Sequence, residues 1–291
     1  MEQERRAGNN PRLCIFDTIT SLPGVRMPFE ALTQICRHLG ILSVIDGAHG
    51  VGHIPFNLTQ LDPDFFVSNC HKWLLVPRGC AVFYVPLRNQ PIMRSTLPTS
   101  HGFQPRPRPG IEYVNPLPAS NKSAYVTNFE FVGTVDPAPY LCVPAALKWR
   151  REVCGGEERI REYCVWLNKK ASERVAEILG TEYMECEEGT LRECNMSNVR
   201  LPLDVEEIGK MCVRRGERFN GDQLRDWMTL KCMLGHGVFM QFVYYNNAWW
   251  LRLCSQIYLD LSDFEWAARV LKRVCEDVRK GRFLNESKAR L

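Results

Sequence analysis

Although the 291-residue chain holds thirteen cysteines, no CxxC pair occurs among them, and they are spread singly from Cys14 to Cys275. Disulfide frameworks and zinc sites need clustered spacing. Scattered thiols instead read as small buried hydrophobes in a reducing compartment. No uninterrupted apolar run approaches the roughly twenty residues that cross a bilayer. The opening MEQERRAGNNPR lacks the apolar core of a secretory signal. A cytoplasmic protein with no membrane partner is the expectation. A long basic run is also missing: the formal charge of +4 comes from dispersed residues, so no nucleic-acid partner is expected. No GxGxxG follows a strand, which disfavours a nucleotide-binding Rossmann protein. Internal repeats are lacking too.

Alternating strand and helix patterns are what the chain does contain. Leu13 to Phe16 reads as a short buried strand, followed by a hydroxyl-rich loop, Asp17 to Gly24. Phe29, Leu32, Ile35, Cys36 and Leu39 recur at helical spacing up to Gly40, a C-cap. Strand ILSVI (41–45), an Asp62-Pro63-Asp64 turn, strand FFV (65–67) and strand CAVFYV (80–85) follow. This order predicts a mainly parallel α/β sheet. Leu97 to Pro118 is proline-rich and extended, either a surface loop or an active-site lid or subunit contact. Helical patterns from Ala138 to Leu179 break at Gly155-Gly156. Later strands are expected near 197–203, 238–244 and 249–253, with helices at 205–215, 222–234 and 261–280, the last capped by Asp263. The predicted organisation is a large α/β domain (1–150), linking helices (151–182) and a small α+β domain (183–291).

Two strands of the first domain end on chemistry-bearing residues. ILSVI runs into Asp46, and FFV runs through Ser68-Asn69-Cys70 into His71-Lys72. Ligands of open α/β sheets bind at the carboxyl ends of the strands, so a carboxylate and an amine there can share one crevice. Alone, the aspartate reads as a turn former and the lysine as a solvated charge. Together, with Gly47, His49 and Trp73 around them, they suit pyridoxal phosphate. The lysine forms a Schiff base and the carboxylate keeps the pyridine nitrogen protonated.

Five ordered blocks (TSLPG, DGAH, HKW followed by Pro-Arg-Gly, FEFVGTVD and LRLCSQIYLDLSDF) extend this pattern. Over nearly the whole chain from Leu13 onward they resemble the class V aminotransferase family of pyridoxal-phosphate enzymes, fold type I. The likeness is to the branch with isopenicillin N epimerase-like proteins and hercynylcysteine sulfoxide lyases. The resemblance implies a fold type I large domain plus a small C-terminal domain, a homodimer, and a small amino-acid-like substrate. It implies Lys72 as the Schiff-base lysine and proton shuttle, and Asp46 as the pyridinium partner. His49 is placed near the ring hydroxyl and Schiff base, where it donates a hydrogen bond or acts as acid or base. The resemblance likewise implies that Ser21 touches the ring hydroxyl and that His71 contacts the phosphate. Relatives carry a hydroxyl residue three positions before the lysine, where this chain has Asn69, with Ser68 one further back. Gly133-Thr134 resembles the segment that reaches the partner's cofactor phosphate. Arg252 matches the arginine that grips the substrate carboxylate, and His101 faces the substrate.

Two departures from the family pattern shape the functional expectation. Cysteine desulfurases of this superfamily place a nucleophilic cysteine shortly before the carboxylate-binding arginine. The corresponding stretch here, Lys231-Cys-Met-Leu-Gly-His-Gly237, has no cysteine in that setting, and Cys232 and Cys254 read as buried residues. Persulfide chemistry is therefore not expected. Chemistry run by Lys72 alone is expected, and the branch resemblance by itself favours carbon–sulfur lyase or epimerase chemistry over transamination. The family's first strands and its phosphate-binding helix N-terminus have no counterpart ahead of Leu13, so an N-terminally incomplete large domain is the second expectation. Its alternative consequence is an inactive remnant or regulatory partner unable to hold the cofactor.

Overall fold

The computed structural model describes residues 2–93, 108–111 and 121–286. The chain divides into two compact units, one of residues 1–17 and 28–148, the other of 18–27 and 149–291.

The first unit is built on a four-stranded sheet ordered β1 (Leu13–Asp17), β2 (Leu42–Asp46), β3 (Phe65–Asn69) and β4 (Ala81–Tyr84). The first three strands are parallel and β4 is antiparallel to β3. Parallel neighbours require a crossover connection. The helix Phe29–Leu39 lies in the stretch between β1 and β2, burying Phe29, Thr33 and Cys36 and stopping at Gly40, whose φ of 66° is left-handed. Residues paired across a sheet point to the same face. Phe16, Ile45, Phe66 and Ser68 occupy the buried face, while Asp17, Asp46, Val67 and Phe83 form one cross-strand row on the other. That second face is lightly covered: Leu13 is 51% and Ile15 67% exposed.

The second unit holds a three-stranded antiparallel sheet ordered β5 (Met196–Arg200), β7 (Ala248–Cys254) and β6 (Gln241–Tyr245). Asn246 and Asn247 join β6 to β7 with φ of 48° and 56°, the positive-φ pair that a two-residue hairpin turn demands. Its longer helices are Glu157–Leu179, Val205–Arg214, Gly221–His236 and Leu261–Arg279. Its core includes Leu167, Phe242, Trp249 and Leu271.

Three details differ from the sequence expectations. The helix Glu157–Leu179 does not stand apart as a link, because Leu167, Ala171 and Val175 sit in the core of the second unit. Residues 18–27 also join that unit. Gly24 N–H donates to Asn198 Oδ1 at 2.9 Å, Asn198 Nδ2 donates back to Gly24 O at 3.0 Å, and Arg26 N–H donates to Leu191 O. The last long helix is capped by Asp260, with Asp263 as the reciprocal member of a capping box.

Candidate active site

Asp46 closes β2, and one of its carboxylate oxygens accepts the Ala48 N–H at 2.8 Å. The chain then turns at once, since Gly47 N–H donates to Val67 O of β3 at 2.6 Å. Only glycine fits there, because a β-carbon would lie 2.3 Å from the Phe66 ring. The turn delivers His49 and His53 toward the loop after β3. Lys72 Nζ lies 3.3 Å from His49 Nε2, and the Trp73 indole N–H donates to His49 Nδ1 at 2.9 Å. The His53 ring stacks on Trp73 with centroids 3.9 Å apart. Burial, and secondarily His49, push the His53 imidazole down to about 3, so it stacks as a neutral ring.

The loop carrying Lys72 is closed at its base by Cys70 N–H donating to Cys80 O at 3.1 Å, and by Val76 N–H donating to Cys70 O. Cys70, Leu74, Val76 and Cys80 form a small apolar cluster backed by Val143 and Ala146. Gly52, at φ 75°, brings the preceding turn against the loop so closely that a β-carbon there would sit 2.7 Å from the Leu74 nitrogen. The 70–80 loop is thus pinned on both sides of Lys72. His71 Nδ1 is buried and has no hydrogen-bond partner among the described residues.

Ser68 and Asn69 end β3 on opposite faces. Ser68 is 1% exposed, its hydroxyl donates to Gly47 O, and it accepts from Val51 N–H. This hydroxyl ties the Asp46 turn to β3. Asn69 is half-buried.

Asp17 was not singled out by the sequence. It pairs in register with Asp46 at the same end of the sheet. Burial raises its carboxyl above the usual carboxylate range, Asp46 raises it further, and Lys72 opposes both. A second carboxyl therefore belongs to the Asp46–Lys72 group. The available signal was the alignment of two strands each ending in aspartate, which is visible only once the register is known.

The second unit brings Ser21 and Arg252 together across 231 positions of sequence. Arg252 Nη1 donates to Ser21 O at 2.8 Å and to Ser21 Oγ at 3.2 Å. Arg252 Nε is buried without a partner among the described residues. Gly24 lies under the arginine stem, where a β-carbon would meet its Cδ at 3.0 Å. Neither Cys232 nor Cys254 is poised as a nucleophile: burial pushes the Cys232 thiol up to about 12 and raises that of Cys254. Gly133 and Thr134 lie in a loop of the first unit, Gly133 at φ 97° and Thr134 exposed. His101 lies outside the described residues.

Comparison with known proteins puts this geometry in context. Residues 2–219 match the family described as aminotransferase class-V. The chain is 43% identical to the L-cysteine desulfhydrase-like protein lolT1 of Epichloe uncinata, over 96% of this chain and 64% of that protein. It is 31% identical to the hercynylcysteine sulfoxide lyase of Schizosaccharomyces pombe, over 94% of this chain and 62% of that protein. It therefore spans less than two thirds of the length of these relatives. Among solved structures, the alanine–glyoxylate aminotransferase of Nostoc sp. superposes with a TM-score of 0.62 at 16% identity, covering 94% of this chain and 65% of that one, a likeness of fold alone. By the match of residues 2–219, the chain belongs to the class V aminotransferase family of pyridoxal-phosphate-dependent enzymes.

Proposed function

We propose that this chain carries the chemistry of a carbon–sulfur lyase, removing a sulfur substituent from the β-carbon of a cysteine-type amino acid with pyridoxal phosphate as cofactor. The observation that carries the reading is the placement of Lys72 Nζ at 3.3 Å from His49, in the same strand-end group as Asp46. The names of the two fungal relatives, a cysteine desulfhydrase-like protein and a sulfoxide lyase, support lyase over epimerase or aminotransferase chemistry.

The residues fit the cofactor. Asp46 offers a carboxylate at a strand end, and His71 has a buried nitrogen without a partner among the described residues. When bound, pyridoxal phosphate supplies an electron sink for charge left at the substrate α-carbon. Asp46 would hold the pyridine nitrogen protonated, and His71 would donate toward the phosphate. Lys72 would hold the cofactor through its amine and would take the α-proton of the substrate. The β-carbon–sulfur bond then breaks and sulfur leaves as a thiol or, from cysteine itself, as sulfide. The remaining three-carbon fragment hydrolyses to a keto acid and ammonia. In the second unit, Arg252 takes the substrate α-carboxylate with its guanidinium, which Ser21 holds in orientation. In a homodimer, Gly133-Thr134 would serve the cofactor phosphate of the partner subunit.

The test is purified protein mixed with pyridoxal phosphate and then with L-cysteine or an S-substituted cysteine. Lysine-bound cofactor gives a visible absorbance band that Lys72→Ala abolishes, and turnover releases keto acid and a thiol or sulfide in equal amounts. Absence of the band at every cofactor concentration would overturn the enzyme reading for this chain. A band with keto acid formed only from an added amino-group acceptor would favour transamination.

A further inference from the structure

Trp73 and His53 have no part in the chemistry above, yet both are almost fully buried against His49. An indole nitrogen can only donate. The 2.9 Å bond from Trp73 Nε1 therefore requires a lone pair on His49 Nδ1. A neutral imidazole with its lone pair on Nδ1 carries its proton on Nε2. That nitrogen is the one 3.3 Å from Lys72 Nζ. An ammonium has three donors and no acceptor, so an N–H facing it finds nothing to bond, whereas an amine lone pair accepts. We propose that Trp73 is a positioning residue that locks His49 in the Nε2–H tautomer, so that His49 presents a proton donor, not a base, to the Lys72 nitrogen.

This narrows the role of His49. It cannot take a proton from Lys72 at Nε2 while the Trp73 bond stands, because the imidazole would then carry a proton on Nδ1, donor against donor with the indole. An imidazolium is excluded on the same ground. The removable proton of the substrate is left to Lys72 alone, and His49 steers the lysine nitrogen by offering it one hydrogen bond. His53 completes the arrangement. Its ring, at 3.9 Å and 35° from the Trp73 ring, fixes the indole plane without competing for His49 Nδ1. The catalytic meaning rests on the lyase reading, but the tautomer does not.

The experiment is ¹⁵N-edited NMR of the histidines in the full chain without cofactor, with His49 assigned by comparison with His49→Gln. The expected spectrum shows a protonated Nε2 and an unprotonated Nδ1. In Trp73→Phe, which keeps an aromatic ring over His53 but removes the donor, the ratio of the two tautomers falls by roughly two- to tenfold, the worth of one neutral hydrogen bond. Benzothienylalanine at position 73 keeps the shape of tryptophan and lacks only the N–H, and it serves if Trp73→Phe does not fold. The same fall is expected there. A proton on Nδ1 of the parent protein, or an unchanged ratio in the folded variants, overturns the proposal. Because the spectra need no cofactor, a protein that fails to bind pyridoxal phosphate but shows the locked tautomer sinks the lyase reading alone.

Discussion

Replacing Gly52 with alanine is the sharpest perturbation the site offers that touches none of its chemical groups. The new β-carbon would lie 2.7 Å from the Leu74 nitrogen and 2.8 Å from Leu74 Cα and the Trp73 carbonyl carbon, all backbone atoms that cannot rotate aside. Holding alanine in the left-handed region costs roughly 1–2 kcal/mol. Overpacking against backbone adds typically about 1–3 kcal/mol. The sum is roughly 2–5 kcal/mol, and at roughly 2–4 °C per kcal/mol for a domain of this size, Tm falls by roughly 4–20 °C. Gly40→Ala isolates the first term, since Gly40 has a φ of 66° and nothing within 4 Å of its would-be β-carbon. It should lose roughly 1–2 kcal/mol and no more. The struck backbone directly follows Lys72, so Gly52→Ala also moves the lysine away from His49 and weakens pyridoxal-phosphate binding, which Gly40→Ala leaves intact. Calorimetry and cofactor titration of both variants decide the matter. Equal Tm losses with equal cofactor affinities would refute the claim that Gly52 sets the lysine loop.

The remaining expectations concern single side chains. Ser68→Ala should cost roughly 1–3 kcal/mol in urea unfolding, the penalty for leaving the buried partners of its hydroxyl unsatisfied, because that hydroxyl bridges Gly47 O and Val51 N–H. Arg252→Lys keeps the charge but loses the planar fork, so KM for the amino-acid substrate should rise by roughly ten- to a hundredfold while the cofactor band stays unchanged. For Asp17 the sign follows from its raised carboxyl. A folded-state pKa above the unfolded one leaves stability whole below the ordinary value of 3.8 and erodes it as pH rises through the folded value. Asp17→Asn should therefore unfold at higher urea than the parent at neutral pH, with the gain vanishing below pH 3.8, and a gain that persists in acid would refute the assignment.

Much of the framework was legible from local pattern. The β1 and β2 strands, the helix ending at Gly40 and the Asn246-Asn247 turn are written in periodicity and in residues suited to left-handed backbone, signals that act over a few positions. The positions of Asp46, at the end of β2, and of Lys72, three residues past the end of β3, followed from the same strand patterns. The direction of the Ser68 hydroxyl was not legible, because a hydroxyl near a lysine has no direction in sequence. The pleat of β3 turns it inward, onto the Gly47 carbonyl. Residues 18–27 were assigned to the wrong unit because two hydrogen bonds to Asn198, 174 positions away, decide where they fold.

What the sequence by itself determined is the inventory and order of elements and the identity of the chemical groups at the strand ends, since those depend on short-range preferences and on the two-residue and 3.6-residue periods. Tertiary structure alone decided what each group faces. The register aligned Asp17 with Asp46, the approach of Gly52 pinned the lysine loop, and the Trp73 N–H chose which nitrogen of His49 keeps a proton. These are contacts between segments whose separation in the chain carries no information about their distance in space. Hydrogen-bond direction and burial, which govern protonation and orientation, exist only once those segments have met.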